Sequence, residues 1–352
     1  MGSFLIRRIG VMLLTALCLT FVVFYLTNLD PNLEKLAKSE GNQRMTEQQV
    51  ENWLQRNGYR QGIFRQYGQW LGVAPGFTRT TDDGKIAGRC IGRSPVEPDQ
   101  AADASTYCGL LQGYWGQSTV FKEPVGGIIL KKLGLTGWLM FWVMIVMVPL
   151  ALIIGVFAGM REGSKTDRTL STFSILTTST PEYVSGVILI VVFASNLTGL
   201  KWFKGTAASA MDSITFTNFT LPVIALALYG TGYIARMTRA SMTEVMTEQY
   251  IRTARLKGLD FRSVVLKHAL RNALIAPFTV IMLQIPWLLT GVVIIETLFN
   301  YKGFGWTLVQ AVGNNDIELM MAASVVAVFV VLVTQLISDI GYVFLNPRIR
   351  VA

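Results

Sequence analysis

Six apolar segments, separated by polar and charged sequence, constrain the fold of this chain more than any other feature. A helix needs about 20 predominantly apolar residues to span a bilayer, and most of the segments are about that long. Only 15% of the 352 residues are charged, whereas soluble domains carry about 25%. The pattern predicts an all-α, polytopic membrane protein with six transmembrane helices. The segments are residues 9–26, 135–159, 170–197, 221–234, 273–298 and 319–344.

The third and fourth segments depart from a simple spanning helix. The first half of the third is polar, with Thr177 and Thr178 shortly before Pro181. We expect that half to face protein or a water-filled path, because lipid offers no hydrogen bonds to the backbone groups that a break in a helix leaves unpaired. The fourth segment is short, and we expect its helix to continue through Arg236 into the aqueous phase.

Basic residues are divided unequally between the two sides of the predicted membrane protein. The short loops of one side hold Lys201, Lys204 and Lys302. The other side is much richer in basic residues and is predicted to be cytoplasmic: Arg7, Arg8, Arg161, Lys165, Arg168, Arg236, Arg239, Arg252, Arg255, Lys257, Arg262, Lys267, Arg271, Arg348 and Arg350. Both termini are therefore expected in the cytoplasm. The expected regions are a first transmembrane helix at 1–27, an enlarged external insert at 28–134 and a five-helix core at 135–352, with a cytoplasmic loop at 236–272.

The external insert is predicted to combine a helix, an irregular stretch and a disulfide. Residues 45–58 have helical spacing with Thr46 as the N-cap. Residues 72–107 are rich in Gly, Asp, Pro and Ser, which predicts irregular loop. Cys90 and Cys108 both lie in the insert, where an oxidising compartment permits a bridge; two free thiols are the alternative. The insert either adds contact area for a docking partner, covers the mouth of the cavity, or is a tolerated surface insertion.

A basic elbow lies between the fourth and fifth segments. Gly258 stands where a short helix would end, because glycine readily adopts the left-handed conformation that closes a helix. Asp260 follows as an N-cap for the next helix. Apolar side chains alternate with cations in the elbow. A loop that is simply exposed to water would not need these apolar side chains. The elbow is thus predicted to present an apolar contact face formed by Tyr250, Ile251, Ala254, Leu256, Leu259 and Phe261.

Several motifs resemble the permease subunits of ABC importers, and most closely the dipeptide/oligopeptide branch of that family. In the elbow the matching residues are Arg252-Thr253-Ala254, Gly258 and Leu270. Other matching stretches are residues 113–118 (Gly-Tyr-Trp-Gly-Gln-Ser), Pro124-Val125, residues 296–305 and the carboxy-terminal residues 346–350 (Asn-Pro-Arg-Ile-Arg). The resemblance covers nearly the whole chain except about residues 72–107, and it implies the fold of a type I ABC importer permease.

The resemblance also implies a function and a set of partners. The chain would form half of a translocation path for di- or oligopeptides in a bacterial inner membrane, with nickel chelates or oligosaccharides as alternative cargo. Its partners would be a homologous second permease, two ABC ATPase subunits that bind ATP and Mg²⁺, and a periplasmic substrate-binding protein. The ATPase-coupling residues would be Tyr250, Ile251, Arg252, Thr253, Ala254, Arg255, Gly258 and Leu259. An external gate would be formed by Glu296, Gly303 and Gly305.

The residues inside the predicted spans suggest a path but no catalytic centre. Candidates to line the path are Thr178, Glu182, Tyr183, Gln284, Trp287 and Thr290; polar contacts between helices are the alternative role. The chain has one His and no phosphate-binding Gly-x-x-x-x-Gly-Lys-Ser/Thr motif, so we expect no ATP site, no metal site and no enzymatic activity on it. Dispersed basic residues argue against nucleic acid. A membrane-bound enzyme or a passive channel is a remote alternative, and neither would need an ATPase partner.

Overall fold

A computed structural model describes residues 2–81 and 83–345. The predicted carboxy-terminal motif at 346–350, with Arg348 and Arg350, lies outside the described residues. The helices are α1 Gly2–Thr27, α2 Asp30–Glu40, α3 Glu47–Arg56, α4 Ile63–Leu71, α5 Pro98–Ala102, α6 Val125–Gly159, α7 Lys165–Ser179, α8 Glu182–Phe193, α9 Phe216–Met246, α10 Gln249–Leu256, α11 Phe261–Ser263, α12 Leu270–Ala273, α13 Ile275–Leu298, α14 Phe304–Gly313 and α15 Ile317–Leu345. The strands are β1 Thr78–Thr80, β2 Ile86–Gly88 and β3 Gly92–Val96. Single turns of 3₁₀ helix occupy Leu110–Gln112 and Ala208–Met211, and a π-helical turn occupies Val264–Ala269.

The apolar helices confirm a polytopic, mostly helical membrane protein. Among the described residues, five helices are long and apolar enough to cross a membrane, namely Ile6–Thr27, Val125–Gly159, Phe216–Met246, Ile275–Leu298 and Ile317–Gly341. The sixth predicted span is a broken pair, because α7 and α8 meet at an angle of 105°. Pro181 stands between them, and proline cannot continue the hydrogen-bond ladder of a helix.

The first of two compact units comprises Met1–Arg8, Lys132–Thr307 and Val330–Ala352. Its core forms where apolar side chains of α6, α9 and α13 meet. Small residues allow α6 to approach α9 closely: a Cβ atom at Gly155 would lie 2.6 Å from the carbonyl oxygen of Ala235, and one at Gly159 would lie 2.8 Å from that of Arg239. Close helix packing at two glycines four residues apart is typical of a Gly-x-x-x-Gly spacing.

The second unit comprises Ile9–Lys131 and Leu308–Phe329. Its apolar core includes Leu33, Leu54 and Trp70. The predicted helix at 45–58 is confirmed as α3. Its N-terminus is closed by a capping box, in which the Thr46 hydroxyl accepts from the Gln49 amide (3.4 Å) and the Gln49 side chain accepts from the Thr46 amide (2.9 Å).

The prediction of irregular loop throughout residues 72–107 is wrong. Strands β1, β2 and β3 form an antiparallel sheet in that order, with Thr78 opposite Gly88 and Thr80 opposite Ile86. The strands are too short to show the alternating pattern that marks a strand in sequence. Cross-strand pairing stabilises them instead, and a turn around Gly84 (φ 73°) reverses the chain.

The division into units also differs from the expected regions. The boundary expected after residue 134 lies close to the observed one between Lys131 and Lys132. However, most of α1 and the segment Leu308–Phe329 group with the insert rather than with the five-helix core.

Candidate functional site

The elbow after α9 has the helix–break–helix geometry expected from its sequence. Helix α10 ends before Gly258, which has φ +76° and whose missing Cβ would meet no atom within 4 Å. The left-handed backbone, rather than crowding, therefore requires glycine here. The carboxylate of Asp260 accepts a hydrogen bond from the amide of Ser263 (3.1 Å) and caps α11. The predicted break and cap are both confirmed.

Two of the residues expected on the contact face of α10 point inward instead. Ile251 is fully buried and Ala254 nearly so, and both pack with Met242 of α9 and Val265 of the π-helical turn. The hydrophobic effect fixes α10 on the end of the long helix α9 through this small core. Ile251 and Ala254 are thus anchors of α10, and a partner could not contact them directly.

The outward side of the elbow is both apolar and basic. Exposed apolar side chains are Tyr250, Leu256, Leu259 and Phe261, with Leu256 80% exposed. Arg252, Thr253, Arg255 and Lys257 are exposed among them. Tyr250 is held in place because its hydroxyl accepts from the Asn272 side chain (2.8 Å). An exposed apolar patch surrounded by cations is suited to an apolar groove with an acidic rim.

An ion pair that sequence analysis missed joins α7 to the same long helix. Arg239 of α9 donates to Asp167 from Nε (2.5 Å) and Nη2 (2.8 Å). Asp167 also accepts from the amide of Gly163 (2.8 Å) and the hydroxyl of Ser171 (3.0 Å). The local signal was the Ser164-x-x-Asp167 capping pattern, since the Ser164 hydroxyl accepts from the Asp167 amide. Nothing local indicates Arg239 as the partner.

In the polar half of the broken span, threonine hydroxyl groups form hydrogen bonds with backbone carbonyl groups of their own helix, α7. The hydroxyls of Thr177 and Thr178 both donate to the carbonyl of Ser174, at 3.1 and 2.9 Å. Their side chains lie close to α9, because a Cβ at Gly232 would come within 3.0 Å of Thr178 Cγ2. Thr178 therefore contributes to helix packing here, the alternative left open for the predicted path residues.

The other predicted path residues fall into two groups. A Cβ at Gly291 would lie 3.5 Å from Glu182 Oε1 and 3.7 Å from the Trp287 ring, so the structure brings these side chains together. Trp287 stacks on Tyr229 of α9 with ring centroids 4.4 Å apart. Gln284 lies on the same face of α13, buried, with an Oε1 that has no hydrogen-bond partner among the described residues. Tyr183 and Thr290 are exposed and lie outside this group.

The three predicted gate residues lie around the tight turn that joins α13 to α14: Glu296 is in the last turn of α13, Gly303 directly precedes α14 and Gly305 is its second residue. Glu296 is fully buried, accepts from the Thr136 hydroxyl of α6, and accepts from the Trp306 amide (2.9 Å). A Cβ at Gly303 would collide with the carboxylate of Glu296, and one at Gly305 would lie 2.7 Å from Val293 Cα. The Glu296 carboxylate therefore connects the start of α14 to α6 through these two hydrogen bonds.

Cys90 and Cys108 form a disulfide in the second unit, with their Cα atoms 5.4 Å apart. The bridge closes residues 90–108 onto the end of the small sheet. Within the described part of the chain, no group of three or more His, Cys, Asp or Glu side chains is arranged to hold a metal ion.

Comparison with known proteins agrees with this geometry. The family model of the binding-protein-dependent transport system inner membrane component matches residues 151–351. The chain is 30% identical to the di/tripeptide transport system permease protein DppB of Pseudomonas aeruginosa, with 99% of each chain covered. It is 34% identical to the oligopeptide transport system permease protein AppB of Bacillus subtilis, over 68% of this chain and 77% of the relative. It is also 34% identical to a probable peptide ABC transporter permease of Sinorhizobium fredii, again over 68% and 77%.

The matched region contains the elbow, the broken span and the Glu296 turn, and the relative from Pseudomonas aeruginosa extends the match over the insert. This chain therefore belongs to the family of inner membrane components of binding-protein-dependent transport systems.

Proposed function

We propose that this chain is one of two permease subunits in an ATP-driven importer of di- or oligopeptides. The observation that carries the proposal is the exposed apolar and basic face of α10, held on α9 by buried Ile251 and Ala254. A membrane helix that ends in such a rigid, exposed module can transmit the motion of a docked partner. The names of the relatives as peptide permeases support the choice of cargo.

In the proposed mechanism, two ABC ATPase subunits bind the elbow and supply ATP and Mg²⁺. Closure of the ATPases moves α10, and the small core around Met242 passes the movement to α9. The Asp167–Arg239 pair then carries it to the broken span α7–α8. Cargo delivered by a periplasmic binding protein enters between this chain and a homologous second permease, and ATP hydrolysis resets the path.

The distribution of basic residues supports the proposed orientation, and the family description as an inner membrane component supports the proposed membrane. We place both termini and α10 in the cytoplasm and the insert in the periplasm, in a bacterial inner membrane. Labelling of single cysteines with a membrane-impermeant maleimide tests this. The proposal predicts labelling at residue 257 only in inside-out vesicles and at residue 47 only in right-side-out vesicles.

The group around Gln284 favours a cargo rich in amides. Its unpaired carbonyl oxygen accepts an N–H, the Glu182 carboxylate attracts an ammonium group, and the Tyr229–Trp287 stack offers an apolar wall. Nickel chelates and oligosaccharides are the competing cargoes. Uptake of a labelled dipeptide, challenged with excess unlabelled dipeptide, nickel–histidine chelate or oligosaccharide, decides between them, and competition by the chelate or the sugar alone would contradict the peptide assignment.

The coupling role is tested by placing a charge on the outward face. Leu256→Glu should leave insertion and expression unchanged, because the side chain is 80% exposed. It should lower peptide uptake and cargo-stimulated ATPase activity at least tenfold, because a charge in an apolar groove is poorly tolerated. Leu111→Glu is the matched control, since Leu111 is 69% exposed but lies in the insert, outside the elbow and outside the apolar spans. Equal uptake by the two variants would refute the coupling role of α10.

A further inference from the structure

The second unit contains a cavity of about 290 Å³ that the proposed transport mechanism does not use. Aromatic and charged side chains share its wall, including Trp53, Tyr59, Phe77, Tyr114, Arg89 and Glu318. Part of the wall is the small sheet, in a segment that lies outside the region matched by the family model, residues 151–351. Pockets for small molecules typically hold about 300–1,000 Å³, so this cavity suits a ligand at the small end of that range.

The guanidinium group of Arg89 is only partly used by the protein. Its Nη1 donates to Glu318 Oε1 at 3.1 Å, while Nε and Nη2 are buried and have no hydrogen-bond partner among the described residues. The ring of Tyr114 lies 5.6 Å from Cζ. Buried donors without partners are unfavourable and uncommon. Nε and Nη2 together form the planar fork that matches the two oxygens of a carboxylate.

Negative charge lies close to the same cation. Glu318 Oε2 is also buried without a hydrogen-bond partner among the described residues, and Glu40 contributes to the same wall. Burial and the charges of Glu318 and Glu40 raise the pKa of Tyr59, whereas Arg89 opposes that rise. The cavity therefore presents a cation and two carboxylates around one phenol. Such a site attracts a ligand that carries both signs of charge and disfavours a simple anion.

We propose that this cavity binds a short zwitterionic peptide, with its terminal carboxylate on the Nε–Nη2 fork of Arg89 and its ammonium group toward Oε2 of Glu318. The stacked rings of Trp53 and Tyr59, 5.9 Å apart, provide an apolar wall for its side chains. The choice of a peptide rests on the proposed function. No residue of the group around Gln284 lines this cavity, so it is a second peptide site on the chain.

The test is equilibrium binding to the full-length chain in lipid nanodiscs, without partner subunits. L-Alanyl-L-alanine is titrated and followed by calorimetry and by tryptophan fluorescence, because Trp53 lines the cavity. We expect saturable binding. L-Alanyl-L-alaninamide, which lacks the carboxylate, and N-acetyl-L-alanyl-L-alanine, which lacks the ammonium group, should each bind at least about tenfold more weakly. These blocked peptides test the site without altering the protein.

Variants test the residues that contact the ligand. Arg89→Gln should weaken dipeptide binding at least about tenfold, and the double variant R89Q/E318Q should do the same while leaving no unpaired charge. Arg65→Gln, which removes an exposed cation of the same unit outside the cavity, should bind like the parent. No saturable binding, equal binding of either blocked peptide, or equal binding by R89Q and R65Q would overturn the site. Dipeptide binding that persists while the assembled transporter imports no peptide would instead refute the proposed function alone.

Discussion

Replacing Asp167 by Asn should destabilise the first unit by about 2–3 kcal/mol. Asp167 is only 3% exposed and accepts four hydrogen bonds, two of them from Arg239. Asn keeps the shape but loses the charge and one acceptor oxygen. Removing one partner of a buried pair typically costs about 3–5 kcal/mol. The Arg239 side chain is 31% exposed, so water compensates part of the loss and the expected cost falls below that range.

Thermal unfolding of the purified chain in detergent measures this cost. At about 2–4 °C per kcal/mol for a unit of this size, the midpoint should fall by roughly 4–12 °C. Asp212→Asn is the matched control, because Asp212 is an exposed carboxylate of the same unit. We expect it to change the midpoint by less than about 2 °C.

A double-mutant cycle separates the ion pair from other effects of the substitution. Arg239→Gln alone should cost less than Asp167→Asn, since Arg239 is the more exposed partner. The variant D167N/R239Q should be more stable than the sum of the two single losses predicts, by about 1 kcal/mol or more. Additive losses, or a D167N midpoint equal to that of D212N, would refute the view that this pair joins α7 to α9.

Three further changes test the local geometry. Gly303→Ala should cost about 1–3 kcal/mol in thermal unfolding, because its Cβ would collide with Glu296. Gly313→Ala is the control, since its Cβ would meet no atom of the described residues within 4 Å. Equal unfolding midpoints for the two variants would contradict the packing described. Gly258→Ala should destabilise the α10 junction by about 1 kcal/mol, because φ is +76°, and unchanged amide exchange in α10 would argue against it. Cys90→Ser should cost the second unit about 3 kcal/mol and expose Cys108 to alkylation. Alkylation of both Cys90 and Cys108 in the unaltered chain would show that the bridge is absent from the native protein.

Much of the architecture could be predicted from the sequence because its causes are local or additive. Five long helices and one broken span follow from the length and composition of the apolar segments. The break at Gly258 and the caps at Thr46 and Asp260 follow from the conformational preferences of single residues within one turn of the helix they bound.

Other features were decided only by tertiary structure. The apolar residues of α10 have helical spacing, but only the packing against Met242 determines that Ile251 and Ala254 point inward while Leu256 points outward. The sheet at 78–96 depends on pairing between strands too short to be recognised alone.

The same holds for the buried polar contacts. Arg239 lies 72 residues from Asp167, and Thr136 lies 160 residues from Glu296. The sequence indicates which side chains need a hydrogen-bond or ion-pair partner, because burying a charge or hydroxyl without one is unfavourable. Which partner meets that need depends on the way distant helices approach one another, and no spacing along the chain contains that information.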